Sequence, residues 1–193
     1  MPISNLLIVR ILRIIKKETG HNEDDMDLIR YSLQAILWEA EKLIYLFLIF
    51  LALGQQWAFL ACMGAVIPVR FFSGGFHASS SWRCFFWTLL GFALAIFVLP
   101  FIPLSNAVVI LVGTFAVLVI FIASPVRSKQ MEEIANKIYD KHKKYIATVI
   151  TVSWFILIYI NQHFYLTEFV MWIIFLQSLQ LLIEYTRIKL KMR

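Results

Sequence analysis

The stretch WAFLACMGAVIPVRFFSGGFHASSSWRCFFWTLLGFALAIFVL, residues 57–99, decides the fold. Two apolar runs flank a short polar segment, residues 70–84, and each run is about the length that a helix needs to cross a bilayer. Backbone N–H and C=O groups in lipid must be hydrogen-bonded within the protein, so we expect both runs to be helices. The stretch therefore predicts a pair of membrane helices joined at the membrane boundary by the polar segment.

The composition extends this prediction to the whole chain. Hydrophobic residues make up 61% of the 193 residues and the mean hydropathy is +0.77, well above a soluble domain. This length accommodates about six spans of roughly 20 residues with short connections. We therefore predict an all-α integral membrane protein, a single polytopic domain over residues 1–193. It would comprise an amphipathic N-terminal helix and loop (1–27), a bundle of six transmembrane helices (28–185) and a basic tail (186–193).

The apolar runs place the spans and the connections between them. The six predicted spanning helices are about Leu28–Leu53, Trp57–Phe72, Phe85–Leu99, Asn106–Ala123, Ile146–Ile160 and Glu168–Tyr185. The first is longer than a bilayer needs, so part of its polar first half lies outside the hydrocarbon. Residues 3–17 carry basic side chains at helical spacing against an apolar face, which predicts an interfacial helix. Residues 20–27 are predicted as an acidic loop, and residues 124–145 as a long basic loop in which residues 131–139 form an amphipathic surface helix.

The positive charges fall almost entirely on one side of these spans. Of the 18 Lys and Arg residues, 17 lie before the first span or at its start (Arg30), in the polar segment, in the long loop or in the tail, and the eighteenth, Lys42, lies inside the first span. The connections at 54–56, 100–106 and 161–167 carry none. The positive-inside rule then predicts that both termini and the polar segment are cytoplasmic. Anionic lipid accounts for the basic charge, and no nucleic-acid partner is expected.

The polar segment contains His77 and Cys84, the residues to which we assign the chemistry. A thiol is nucleophilic only as the thiolate, which a nearby imidazole favours. On a straight helix the two side chains would be roughly 10 Å apart along the axis, so the backbone must fold back. Gly74, Gly75 and the serines at 79–81 permit such a reversal. If a helix begins near Trp82, Cys84 lies in its first turn, where the helix dipole also favours a thiolate.

Other interpretations of these residues remain open. Cys84 is also consistent with a small buried hydrophobic residue, which is what we expect of Cys62 within its apolar span. In the first span, Glu39 lies in a polar stripe that either forms a wall of the site or pairs with Lys42. The spacing of the two cysteines indicates neither a disulfide framework nor a zinc site, and we expect no cofactor or metal.

The motif Gly75-Phe-His77-Ala-Ser-Ser-Ser-Trp-Arg-Cys84 resembles that of the accessory gene regulator B (AgrB) peptidases. The layout is similar as well: an amphipathic N-terminus, Gln34 before the first span, Arg70 ahead of the histidine, and a Pro125-containing lysine loop after the fourth span. The resemblance covers nearly the full chain. One departure is that only Lys129 stands where some members of the family have a lysine cluster.

The resemblance implies a cysteine endopeptidase of the bacterial cell membrane, with Cys84 as nucleophile and His77 as general base. It would cleave the C-terminal part of a short amphipathic (AgrD-like) precursor peptide and promote its cyclisation to a thiolactone or lactone for quorum sensing. Arg70 and Lys129 would hold the acidic tail of the precursor, although Arg70 is equally consistent with an interfacial residue whose charge reaches the headgroups. Gln34 is a candidate oxyanion donor, and Gly75 supports the site.

The sequence leaves two further points open. A homodimer is neither required nor excluded by the sequence. The alternative function is a small transporter or membrane assembly factor, in which His77 and Cys84 are packing or metal-sensing residues. Glu39 and Glu41 keep that alternative open, but the paired broken helices typical of such transporters are missing from the pattern.

Overall fold

The computed structural model describes residues 8, 10–13, 15, 23–75, 81–126 and 137–191, and these are almost entirely helical. The helices are α1 (Glu23–Ala52), α2 (Gln56–Ser73), α3 (Ser81–Ala93), α4 (Asn106–Ala123), α5 (Lys137–Ile160) and α6 (Leu166–Lys191). A π-helical turn, Leu94–Val98, and a 3-10 turn, Leu99–Phe101, continue α3. The all-α prediction is confirmed for the described part of the chain.

Five of these helical segments are long and apolar enough to cross a membrane. They are Gln56–Ser73, Trp82–Phe101, Asn106–Ala123, Lys141–Ile160 and Leu166–Leu190. The predicted count of six spans is not confirmed, because α1 is not among them. Glu39, Glu41 and Lys42 interrupt the middle of α1 and leave only a short uncharged run after them. Charged side chains inside the hydrocarbon are costly, so this half of α1 is a poor span by composition.

Several predicted bounds are close to the observed ones. Helix α2 begins and ends one residue outside the predicted Trp57–Phe72, and α4 has the predicted bounds. Ser105 caps α4 by accepting a hydrogen bond from the Val108 backbone N–H at 3.3 Å, as is typical of an N-cap serine. Helix α6 extends beyond the predicted Glu168–Tyr185 at both ends.

Two predicted loops are wrong in part. Residues 23–27, part of the predicted acidic loop 20–27, form the first turns of α1. Acidic side chains are favourable there because they interact with the positive end of the helix dipole. Residues 137–145, predicted as part of the basic loop, belong to α5, whose Lys141 and His142 are exposed. Long basic side chains can reach water from a continuous helix, so they do not end it. The first part of the predicted surface helix, residues 131–136, lies outside the described residues.

At the N-terminus, the described residues agree with the predicted interfacial helix. Residues 8, 10–13 and 15 are helical; Ile8 is buried while Arg10 and Arg13 are exposed. This is the pattern expected of an amphipathic helix. The other residues of the predicted segment 3–17 lie outside the described residues, so the helix as a whole stays a prediction.

The chain forms two compact units, Met1–Gly54 and Gln55–Arg193. The prediction of one domain stays a prediction. In the second unit, α6 packs against α2 and α4, and α5 packs against the same two helices. A buried apolar cluster joins these four helices at one end of the unit. It consists of Val69, Ile120, Ala123, Val126, Ala147 and Leu181. This packing fixes the end of α2, from which the polar segment departs.

Candidate functional site

The C-terminal end of α2 positions the start of the polar segment. Arg70 lies in the last turn, half-buried, and Ser73 is fully buried. Gly74 ends the helix with φ of +75°, and its N–H donates to the Arg70 carbonyl at 2.9 Å. Positive φ is unfavourable for a residue with a Cβ, so glycine suits this position. Gly74 thus has the positive φ that the predicted reversal would use, and Gly75 does not; residues 76–80 lie outside the described residues, so the reversal itself stays a prediction.

A second segment of the chain fastens this end of α2. The Ser124–Pro125 peptide bond after α4 is cis, and the next residue, Val126, forms a bridge with Gly74. The Val126 N–H donates to the Ser73 carbonyl at 2.9 Å. A Cβ at Gly74 would collide with the Val126 carbonyl oxygen. The close approach of the two backbones is thus a second reason for glycine at position 74.

The Gly74 carbonyl receives two side-chain donors. The Ser73 hydroxyl donates to it at 3.1 Å, and the Gln177 Nε2 group of α6 donates to it at 3.4 Å. Gln177 is only 3% exposed, although it lies in a membrane-length helix. We call Ser73, Gly74, Val126 and Gln177 the polar junction. It ties the point at which the chain leaves α2 to both α6 and the segment after α4.

Cys84 lies in the first turn of α3, which begins at Ser81, within one residue of the predicted start. Cys84 is partly exposed, and its backbone carbonyl accepts a hydrogen bond from the Thr88 hydroxyl at 2.8 Å. Trp82, Phe86 and Trp87 on the same helix are all exposed. The structure thus places Cys84 partly exposed in the first turn of a helix, and its role as nucleophile stays a prediction.

The other cysteine has a different environment. Cys62 is fully buried within α2, among its buried apolar residues. The prediction that it is a packing residue is confirmed. Neither cysteine is in a disulfide. In the part of the chain that the structure describes, no group of three or more His, Cys, Asp or Glu residues is arranged to hold a metal ion.

The remaining predicted site residues lie in different parts of the chain. His77 and Lys129 lie outside the described residues, so the pairing of His77 with Cys84 stays a prediction. Gln34 and Glu39 lie on α1, in the first compact unit. Glu39 forms an ion pair with Lys42, with Glu39 Oε1 2.6 Å from Lys42 Nζ, which agrees with the pairing interpretation of the polar stripe. Arg70 and Gly75 lie at the polar junction.

Sequence reasoning missed Gln177 and Val126. Gln177 stands in an apolar run, and a polar side chain within a predicted span is itself a signal of a functional or structural contact. Its partner, Gly74, is 103 positions away in the chain, so local patterns could not identify it. Val126 is an ordinary apolar residue whose role comes from its backbone N–H, and no sequence signal marks it.

The comparisons with known proteins identify the family of the chain. Residues 8–181 match the family model described as AgrB: Accessory gene regulator B, which spans α1 to most of α6 and includes the whole polar segment. Neither the curated proteins nor the solved structures gave a match. Because the family model matches most of the chain, from the N-terminal helix through Gln177 to Leu181, the protein belongs to the accessory gene regulator B family.

Proposed function

We propose that the protein is a membrane-embedded cysteine endopeptidase that cleaves the C-terminal part of a short precursor peptide and promotes its cyclisation. Family membership supports a role in quorum-sensing peptide processing. The observation that carries the finer proposal is the position of Cys84, partly exposed in the first turn of α3 directly after the polar segment. Cys62, by contrast, is fully buried. Cys84 is therefore the thiol to which we assign the attack on the substrate.

In the first step, His77 removes the Cys84 thiol proton and the thiolate attacks the scissile carbonyl carbon. The tetrahedral oxyanion needs hydrogen-bond donors, and backbone N–H groups at the start of α3 are suited to this. When the intermediate collapses, the peptide C–N bond breaks and the imidazolium gives its proton to the leaving amine. The N-terminal part of the precursor is then held on Cys84 as a thioester.

In the second step, a thiol of the precursor itself attacks this thioester. Its proton passes to His77, a new thioester closes the ring, and the Cys84 thiolate leaves and takes up the proton. A hydroxyl nucleophile would give a lactone by the same exchange. Exchange of one thioester for another retains the activated bond that hydrolysis would destroy, so the site must exclude water and hold the substrate thiol close. A nucleophile at the start of a membrane helix suits both requirements.

The other predicted residues take supporting roles in this proposal. Arg70, half-buried at the end of α2, and Lys129 would bind an acidic tail of the precursor. Gly75 is flanked by the Arg70 and Gln177 side chains, since a Cβ there would lie 3.5 Å from Arg70 Nε and 3.6 Å from Gln177 Nε2. The assignments of Gln34 as an oxyanion donor and of Glu39 to a wall of the site stay predictions from the sequence.

We also propose the topology that places this chemistry in the cytoplasm. With α1 as a sixth span after the interfacial helix, both termini and the polar segment would face the cytoplasm of a bacterial cell. The support is the charge distribution, with no Lys or Arg in residues 54–56, 100–106 or 161–167. Single cysteines introduced at Gln55 or Asn161 should react with an impermeant maleimide in intact cells, and one at Ser128 should not. The reverse pattern would contradict the cytoplasmic site.

Purified protein in liposomes tests the activity. The substrate is a short amphipathic peptide encoded beside the gene, and its products are followed by mass spectrometry. We expect cleavage in the absence of any ion gradient, blocked by prior treatment of the protein with iodoacetamide. Solute uptake that depends on a gradient, without cleavage of the peptide, would instead support the transporter and contradict the peptidase.

A further inference from the structure

We propose that Phe121 of α4 together with Lys141, Lys144 and Tyr145 of α5 forms a binding site for the headgroup phosphate of an anionic phospholipid. We call these four residues the α4–α5 corner. The charge distribution along the sequence indicates only that one side of the protein is basic, and it selects no particular residue. The contacts within the corner do. The lipid site does not depend on the proposed peptidase activity, so either can fail without the other.

Lys144 has an aromatic ring as its partner. Its Nζ atom lies 4.3 Å from the centre of the Phe121 ring. The ring attracts the ammonium group, which has three N–H donors to offer to an anion. Where acidic side chains that the structure describes form ion pairs, they do so with Lys42 and Arg187. The charge of Lys144 is therefore held in place without being neutralised by any of these carboxylates.

Two further donors lie beside this ammonium group. Lys141 and Tyr145 are both exposed, and residues three and four apart lie on the same face of a helix, so Lys141 is one turn from both Lys144 and Tyr145. The Tyr145 ring lies beside Phe121, with the ring centres 6.5 Å apart. The corner thus combines two ammonium groups and a phenolic hydroxyl, each of which can donate to a phosphate oxygen.

The apolar surface next to the corner favours a lipid over a soluble anion. Lys141 is the first residue of one of the membrane-length segments, so the corner lies where that segment enters the membrane. One turn deeper, Leu118 precedes Phe121 by three residues and Val149 follows Tyr145 by four, and both are exposed. Cations at the membrane boundary with apolar side chains beneath them match a charged headgroup with its acyl chains. A soluble phosphate would contact the cations alone.

Native mass spectrometry of the full-length protein measures the binding. Protein in detergent is titrated with phosphatidylglycerol, or with phosphatidylcholine of the same acyl chains, and the apparent Kd of the first bound lipid is determined. We expect phosphatidylglycerol to bind about tenfold more tightly, because two cations contribute. Lys144→Gln should weaken phosphatidylglycerol binding about fivefold and leave phosphatidylcholine binding within about twofold of wild type.

Lys143→Gln is the matched control, because it removes the same charge from the preceding residue. Lys143 points about 100° around the helix from Lys144, so we expect it to change phosphatidylglycerol binding by less than about twofold. Phe121→Leu stays apolar but removes the ring, and it should weaken binding about threefold. Added to Lys144→Gln, it should have no further effect, since the ammonium group that the ring holds is already gone. Phe121→Leu also serves as the test if Lys144→Gln does not accumulate in membranes.

A photoreactive phosphatidylglycerol with a diazirine in its acyl chain locates the bound lipid. In phosphatidylcholine liposomes, we expect cross-links to peptides that contain Leu118 or Val149, and fewer of them in Lys144→Gln. Addition of millimolar inorganic phosphate should leave the cross-links unchanged.

Three results would overturn the inference. Equal losses of phosphatidylglycerol binding in Lys143→Gln and Lys144→Gln would show a diffuse attraction to basic charge and not a site. Unchanged binding in both Lys144→Gln and Phe121→Leu would place the lipid elsewhere on the protein. Loss of the cross-links with inorganic phosphate, but not with sodium chloride of equal ionic strength, would show that the corner binds a soluble anion.

Discussion

Two regions of the second unit each contain a glycine with no room for a side chain, but their surroundings differ. Gly113 of α4 lies in the dry interior, in contact with the Phe155 ring of α5 beside a small apolar cavity. Gly74 lies in the polar junction, against the backbone of Val126 and the amide of Gln177. In the first region, glycine lets two helices approach, as small residues do in membrane bundles. In the second, it also sets the direction of the chain.

The two cysteines differ in the same way. Cys62 fills space within the buried face of α2, whereas Cys84 is partly exposed at the start of α3. Residue type alone does not distinguish them. Their positions relative to the helix ends do: Cys84 lies in the first turn of α3, where backbone N–H groups have no partner within the helix, and Cys62 lies inside α2.

The largest expected effect separates the cysteines. Cys84→Ala should abolish cleavage of the precursor, because no other group in the proposed mechanism forms the thioester. Cys62→Ala, the matched control, should retain activity within about twofold, since the change removes one buried atom from a packed helix. Product formation is measured by mass spectrometry at equal amounts of membrane protein. Loss of cleavage in Cys62→Ala at a normal protein level would mean that the nucleophile is assigned to the wrong cysteine.

The next effect compares the two glycines of the polar segment. Gly74→Ala should destabilise the protein by about 2 kcal/mol or more, because the methyl group would meet the Val126 backbone at a positive φ. Gly75→Ala is the control: its Cβ would have ordinary contacts with Arg70 and Gln177, so the fold should be retained. Thermal unfolding in detergent, followed by the exposure of Cys62 to a thiol dye, measures both. Equal stability of the two variants would contradict the role of Gly74.

A smaller effect is expected in the dry interior. Gly113→Ala would push the Phe155 ring, and overpacking of this kind costs about 1–3 kcal/mol. The obstacle is a side chain, so a second change can relieve it: the double variant Gly113→Ala, Phe155→Leu should recover much of the stability. No such rescue is available at Gly74, where the obstacle is backbone. If the double variant is no more stable than Gly113→Ala in the same unfolding assay, the Phe155 side chain is not the obstacle at Gly113, and the contrast with Gly74 is contradicted.

The fold was largely predictable from the sequence, and the residues explain which parts were not. Uninterrupted apolar runs such as residues 106–123 predict their helices closely, because length and hydrophobicity alone determine a span. The segments where charge and helix coexist were misjudged: residues 23–27 and 137–145 are polar, yet they are helical. Polar residues mark where a membrane span ends, but a helix can continue through them. The sequence therefore predicts the ends of spans better than the ends of helices.

The candidate site was predictable only where it is local. The motif around Cys84 predicted the start of α3 within one residue, because serines near a helix start are a short-range signal. The polar junction combines residues from α2, the segment after α4, and α6. One of its hydrogen bonds joins two backbone groups, which every residue has, and another joins positions 103 apart. Such contacts depend on the packing of helices, which local sequence patterns do not specify.

The central claim is that Cys84 captures the N-terminal part of the precursor as a thioester before any ring forms. The most direct measurement uses a precursor whose own cysteine is changed to alanine, followed by intact-mass and peptide mass spectrometry of the protein. We expect this peptide to be cleaved and to leave an adduct on Cys84 that hydroxylamine removes, because the ring-closing nucleophile is missing. Cleavage at the full rate without an adduct, and cleavage that persists in Cys84→Ala, would contradict the account.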